Sequence, residues 1–304
     1  MVREKKMLET LEPRSRSIIA AGLIQSLEKI ATTCVLRFSP SEMKFATVSG
    51  ISDPRAFAKI PHSDPEEGEE EEDVEGKSKV FVSMMVESRA NNHIWIELEL
   101  STLLRGLKST AGVSSQGLTM KLVKKSGLKC LTLTMKNVDA VVTQDIPIRT
   151  LTPNEGARHM KEPDEVSMDV ELRMPSLKTV KLVTDRMKSV DRFITLDTKV
   201  ASVADGGCSM VLRVGTTQAS VKTYFRNLET SSSNIQDVKR ARVKLDIKKF
   251  SKMLWVHQIY PKDAWLLISE SSMIILYVIL DDSRTNILYY LPVLSGGDDD
   301  DDDE

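Results

Sequence analysis

Aromatic side chains make up only 5% of this chain, and its 304 residues include just three cysteines and four histidines. Cys34, Cys130 and Cys208 lie far apart, and none belongs to a C-x-x-C pair. That spacing excludes a disulfide framework and predicts a reducing, intracellular compartment. His62, His93, His159 and His257 are equally scattered, and none has a Cys, Asp or Glu at metal-ligand spacing, so neither metal nor cofactor is expected. The sequence contains no G-x-G-x-x-G and no G-x-S-x-G, and Gly106-Leu107-Lys108-Ser109-Thr110 lacks the upstream glycine of a P-loop. The purest apolar run, Met273 to Leu280, is eight residues long, against the roughly 20 that span a bilayer. Met1-Val2-Arg3-Glu4-Lys5-Lys6 leads into no apolar signal core. These absences predict a chain that is no enzyme and touches no membrane.

What is present suits a globular protein: 41% hydrophobic and 28% charged residues, enough for one large domain or two of about 150 residues. The net charge of −2 is made of unlike parts. Asp64 to Glu75 carries nine acids and no base, and Asp298 to Glu304 carries seven acids and no base. With these set aside, 28 acids remain against 42 lysines and arginines, leaving a body of about +14. A body so basic predicts a polyanionic partner.

The chain repeats itself. Ile96-Glu97-Leu98-Glu99-Leu100-Ser101-Thr102-Leu103-Leu104-Arg105-Gly106-Leu107 switches from strand to helix periodicity, and Val243-Lys244-Leu245-Asp246-Ile247-Lys248-Lys249-Phe250-Ser251-Lys252-Met253-Leu254 does the same 147 residues later. Leu103 and Leu107 match Phe250 and Leu254 as core positions, while Arg105 matches Lys252 on the other face. Upstream, a helix over Ser17–Ile30 entering the strand Thr32–Ser39 matches Ser176–Val190 entering Arg192–Lys199, at an offset of 160. The difference of about thirteen residues is the size of the acidic run, which reads as a loop insertion at about 61–78. Further strands are predicted over Glu42–Val48, Lys79–Glu87, Leu118–Lys124, Leu128–Lys136 and Val141–Arg149. In the second half they fall at Ser167–Arg173, Ser209–Val214, Ala219–Leu228, Trp265–Ser269, Met273–Leu280 and Asn286–Leu294. So many strands and so few helices predict an α+β protein of two similar antiparallel sheets. The expected domains are 1–149 and 167–295, with 150–166, which holds Pro153, Gly156 and Pro163, as connector and 296–304 as an acidic, disordered tail.

Placing residues at about 100° per step shows the outer face of each helix. Val180, Val183, Met187 and Val190 form one stripe of the third helix, opposite Lys178, Lys181, Arg186 and Lys188. The fourth turns Lys248, Lys249 and Lys252 outward, the second Arg105 and Lys108, and the first mainly Lys29. Cations without interleaved aromatics suit phosphate contact without base stacking, hence sequence-independent binding of double-stranded DNA. Val238–Lys244 reads either as a nuclear localisation signal or as part of a strand. Asp145, beside Pro147 in a strand, reads as structural.

Thr33-Cys34-Val35-Leu36-Arg37-Phe38-Ser39-Pro40, Asn92-His93-Ile94-Trp95-Ile96-Glu97-Leu98, Thr143-Gln144-Asp145-Ile146-Pro147-Ile148, Leu177-Lys178-Thr179-Val180 and Tyr290-Leu291-Pro292-Val293-Leu294 resemble, in order, the Hus-one family of checkpoint-clamp subunits. The resemblance runs from about Ser17 to Ser295. It implies the DNA sliding-clamp fold of the proliferating-cell nuclear antigen: two similar domains per subunit, antiparallel sheets outside and two helices per domain on the inner face. It also implies a heterotrimeric ring with two other checkpoint-clamp subunits (Rad-nine and Rad-one), a clamp loader that places the ring on DNA, and recruited checkpoint and repair proteins in the nucleus. Subunits of such rings join through edge strands. Here these would be Val141–Arg149, with Val141, Thr143, Asp145 and Ile146, and Ala219–Leu228, with Ser220, Lys222 and Tyr224. Clamps of this kind begin with a strand ahead of the first helix. Met1–Arg14 is highly charged, so either Met7–Leu11 forms a short strand, or that strand is absent or the start misassigned. Two other readings are a homotrimeric replicative clamp, whose apolar connector 150–166 does not resemble, and a metal-dependent nuclease, whose carboxylate cluster is missing.

Overall fold

A computed structural model describes residues 8–11, 15–61, 81–111, 118–136, 140–164, 166–202, 207–217, 219–231, 238–280 and 285–294. The expected acidic insertion and acidic tail lie outside these residues. In the first half, β1 (Leu8–Leu11), α1 (Ser15–Glu28), β2 (Thr33–Phe38), β3 (Glu42–Val48), β4 (Arg55–Pro61), β5 (Phe81–Met85) and β6 (Ile94–Glu99) lead to α2 (Leu100–Ala111), then β7 (Leu118–Lys125), β8 (Leu128–Lys136) and β9 (Val141–Pro147). A two-residue β10 (Arg149–Thr150) and α3 (Pro153–Met160) come next. The second half runs β11 (Val170–Arg173), α4 (Leu177–Met187), β12 (Phe193–Val200), β13 (Cys208–Gly215), β14 (Ser220–Leu228), β15 (Lys239–Asp246) and α5 (Ile247–Met253). A 3-10 turn (Leu254–Ile259), β16 (Asp263–Ile268), β17 (Met273–Ile279) and β18 (Asn286–Pro292) complete it.

The strands form three antiparallel sheets where two were expected: β5-β1-β7-β8-β9, β10-β6-β2-β3-β4-β18-β17-β16-β11, and β14-β13-β12-β15. The duplication is explicit in these orders. β6-β2-β3-β4 repeats as β15-β12-β13-β14, and β1-β7-β8-β9 repeats as β11-β16-β17-β18. What turns four sheets into three is one seam: β4 pairs antiparallel with β18, from Arg55↔Tyr290 to Lys59↔Asn286. The first strand is present, short as the charged sequence suggested, and paired with β5 and β7. Of Val238–Lys244, the residues from Lys239 onward lie in β15, paired along its length with β12.

Two elements escaped the sequence reading. β4 comes after a loop and alternates small Ala56 and Ala58 with larger residues, which masks its period. α3 lies inside the expected connector, where Pro153 and Gly156 read as breakers. Pro153 instead occupies the first helical turn, and Thr152 and Glu155 form a reciprocal capping box. Gly156 lies against Trp95, where a Cβ would come within 2.2 Å of the indole.

The buried faces of all three sheets and the helices share one apolar core, including Leu23, Leu27, Phe38, Ile96, Leu196, Phe250, Leu276 and Tyr289. The helices form a continuous layer on it: α1 packs on α2, α4 on α5 and the 3-10 turn, and α1 meets that turn across the two halves. Fully buried Tyr289 on β18 shares a 2.6 Å hydrogen bond with Ser26 of α1. Burial pushes the Tyr289 phenol above its ordinary pKa, against the opposing effect of the Ser26 bond.

Candidate nucleic-acid interface

The cations singled out on the helices divide into two groups. In α2, Leu103, Leu104 and Leu107 are buried, and Arg105 and Lys108 project outward. In α4, Lys178 and Arg186 are exposed. In α5, Lys248 and Lys252 are exposed while Ile247, Phe250 and Met253 are buried. These six side chains are carried by helices whose opposite faces are anchored in the core.

The other four are committed to neighbours. Lys29 pairs with Glu28 at 3.0 Å and lies 5.2 Å from the Trp255 ring centroid. Lys249 donates to Ser52 O at 2.6 Å and pairs with Asp53 at 3.1 Å, which ties α5 to the β3–β4 loop of the first half. Lys181 is only 13% exposed and turns to Asp185, which Lys188 also reaches at 2.6 Å. Asp185 further accepts from Ser251 of α5 at 2.8 Å. Burial raises the pKa of that carboxyl, but hydrogen bonds from Lys181, Lys188 and Ser251 outweigh it and bring the value to about 2. Asp185 is therefore a clasp between α4 and α5. The Lys181–Asp185 and Lys188–Asp185 spacings are local to α4, but a helical wheel does not show Ser251, which approaches from α5.

The wheel also passed over Leu182, one turn from both Lys178 and Arg186 and 53% exposed. An apolar side chain between two cations on an outward stripe is compatible with a sugar-phosphate surface that contacts no base.

The edge strands complete the candidate surface. β9 ends the five-stranded sheet and β14 ends the four-stranded one. Along β9, Val141, Thr143 and Asp145 are exposed and Ile146 is buried. Asp145 pairs with Lys125 at 2.7 Å and accepts from Thr132, and the Lys125 bond foremost lowers its pKa. Along β14, Ser220 and Lys222 are exposed, as is Tyr224 with 57% of its surface accessible. By the duplication, β14 corresponds to β4 and β9 to β18. These two edge strands are thus the copies of the two that pair with each other within the chain.

Among the described residues, no three His, Cys, Asp or Glu side chains gather as a metal site, and no helix is long and apolar enough to cross a membrane.

A family model described as Hus1-like protein matches residues 15–295. The checkpoint protein hus1 homolog of Dictyostelium discoideum is 29% identical over 267 residues, which cover 86% of this chain and 90% of that protein. Checkpoint protein HUS1 of Homo sapiens is 27% identical, covering 82% of this chain and 85% of that protein. Among solved structures, the proliferating cellular nuclear antigen of Entamoeba histolytica superposes with a TM-score of 0.69 at 11% identity, covering 95% of this chain and 98% of that one. That of Thermococcus kodakaraensis gives 0.65 at 13%, covering 94% and 100%. With a duplicated sliding-clamp fold and a family match across nearly its whole length, the chain belongs to the Hus1-like protein family of checkpoint clamp subunits.

Proposed function

We propose that this chain is a non-catalytic subunit of a heterotrimeric ring that encircles double-stranded DNA and serves as a nuclear platform for checkpoint and repair proteins. A clamp loader would place the ring on DNA. The observation that carries the reading is the pair of free edges, β9 and β14, which are copies of the joined strands β18 and β4. Repeating the β4–β18 seam between β14 of one subunit and β9 of the next extends the chain's internal symmetry across a subunit boundary, and three subunits then give six domain copies. Unpaired edges of this kind invite pairing with another chain. The helix layer lies on one side of the sheets, and Arg105, Lys108, Lys178, Arg186, Lys248 and Lys252 supply cations for phosphates lining the hole.

The division into domains at 1–149 and 167–295 accords with this reading, since each half supplies one copy of the strand order. Co-expression with the two other checkpoint-clamp subunits tests the stoichiometry. Native mass spectrometry should find a 1:1:1 complex, and exchange of Val141 and Thr143 or of Val221 and Tyr224 for proline and lysine should break one interface each. A stable homotrimer of this chain would favour the replicative reading instead.

A further inference from the structure

The duplication maps contacts of the internal seam onto positions at the chain's free edges. Strand registers fix the correspondence: Leu36↔Phe45↔Ala58 in the first half matches Leu196↔Leu212↔Thr223 in the second. Ala56 of β4 is therefore copied by Val221 of β14. The helices align at the offset of 160, since the amides of Ile30 and Ala31 donate to Leu27 O as those of Val190 and Asp191 donate to Met187 O. Gly22 and Ser26 of α1 are thus copied in α4 by Leu182 and Arg186.

At the seam, the side of the first half that meets the second is built from β4 and α1 together. Ala56 is fully buried where β4 pairs with β18. Ser26 bonds Tyr289 of β18, and Gly22 lies against Ile259 of the 3-10 turn. A Cβ on Gly22 would come within 2.1 Å of the Ile259 Cγ2, so helix and turn approach with room for only one branched side chain. The copies of these covered positions are open: Val221 is 40% exposed, Leu182 is 53% exposed, and Arg186 is exposed too. A single exposed leucine needs no explanation. Two exposed apolar side chains, on β14 and on α4, each at the copy of a covered position, form one surface of the same kind as the seam.

We propose that Leu182 is a packing contact across the subunit boundary, seated against the neighbour that pairs with β14. The contact rests on the ring proposed above and names the chemistry that this neighbour brings. Inside the chain the small residue is on the helix, Gly22, and the large one on the turn, Ile259. At the boundary α4 supplies the large residue, so the neighbour carries a small one, Gly, Ala or Ser, at the end of the second helix of its first domain. This exchange of sizes selects the neighbour, because a branched residue there would overpack the joint. Lys178 and Arg186, one turn to either side, have stems long enough to flank the joint while their charged ends stay in the hole. One stripe of α4 then serves ring closure and phosphate contact with different atoms.

An aliphatic diazirine amino acid placed at position 182, in the full chain co-expressed with the two other subunits, tests the placement. Irradiation should link it to one neighbouring subunit, at the end of that subunit's second helix, equally with and without DNA. Links to DNA, to both neighbours alike or to neither would overturn the proposal. Leu182→Asp supplies the second arm. The side chain is already exposed in the single chain, so the urea midpoint of the isolated chain should barely move. The dissociation constant of the ring, followed by native mass spectrometry on dilution, should rise about tenfold. An intact ring with weakened DNA retention would put Leu182 on the phosphate surface instead, and unchanged assembly would equally contradict the contact. No ring from the unaltered chains would refute the ring reading itself, and this inference with it.

Discussion

At the scale of single residues, two polar side chains join elements that the apolar core alone would leave free to slide. Asp185 draws Lys181, Lys188 and Ser251 together, and its pKa is lowered to about 2 from the ordinary 3.8. A carboxyl depressed in the folded state stabilises above its unfolded pKa and loses that contribution as pH falls through the folded value. Asp185→Asn should therefore cost about 1 kcal/mol at neutral pH, a figure discounted for solvent screening because the side chain is 39% exposed. The deficit should shrink between pH about 4 and 2, as denaturant unfolding across that range would reveal. Tyr289 and Ser26 form the buried counterpart, between β18 of one half and α1 of the other. Tyr289→Phe leaves the Ser26 hydroxyl without its partner, at a cost of about 1–3 kcal/mol. Adding Ser26→Ala should recover part of that loss, which makes a double-mutant cycle the appropriate measurement.

At the scale of elements, the strand-to-helix units are the parts most legible in sequence. β6 runs into α2 and β15 into α5 without a loop, and an acid stands at each junction. Asp246 caps α5 by accepting from the amides of Lys248 and Lys249, whereas Glu99 accepts from the hydroxyls of Ser101 and Thr102 in the first turn of α2. A change of period with an acid at the break is visible in one dimension. The β4–β18 seam is not, because it joins residues more than 200 positions apart and β4 itself alternates weakly. The same limit applies to one helix cation, Lys249. Arg105, Arg186 and Lys252 project as their helical positions dictate, whereas Lys181 and Lys249 are redirected by Asp185 and Asp53, which sit on other turns or in the other half. α3 was obscured for a local reason, since Gly156 serves the approach to Trp95 rather than a turn. Gly156→Ala should lift α3 from β6, raise the solvent exposure of Trp95 and red-shift its fluorescence. Unchanged emission would mean that the helix can shift without loss.

At the scale of the molecule, the β4–β18 seam joins the two halves. In the ring we propose, the same pairing repeats between β14 and β9 of neighbouring subunits and closure turns the helix cations inward. Changing Arg105, Arg186 and Lys252 to Glu should weaken retention of the assembled ring on DNA severalfold, with a salt dependence shallower by about 0.9 for each phosphate no longer engaged. The committed lysines, Lys29 and Lys249, should contribute less to that slope, so separate charge reversals distinguish projecting from paired cations. The most direct test of encirclement is topological. The three-subunit ring, loaded on a closed circular DNA, should resist a high-salt wash and should be released when the circle is cut once. Equal retention on the circle and on the cut, open-ended DNA would contradict a ring that surrounds the duplex.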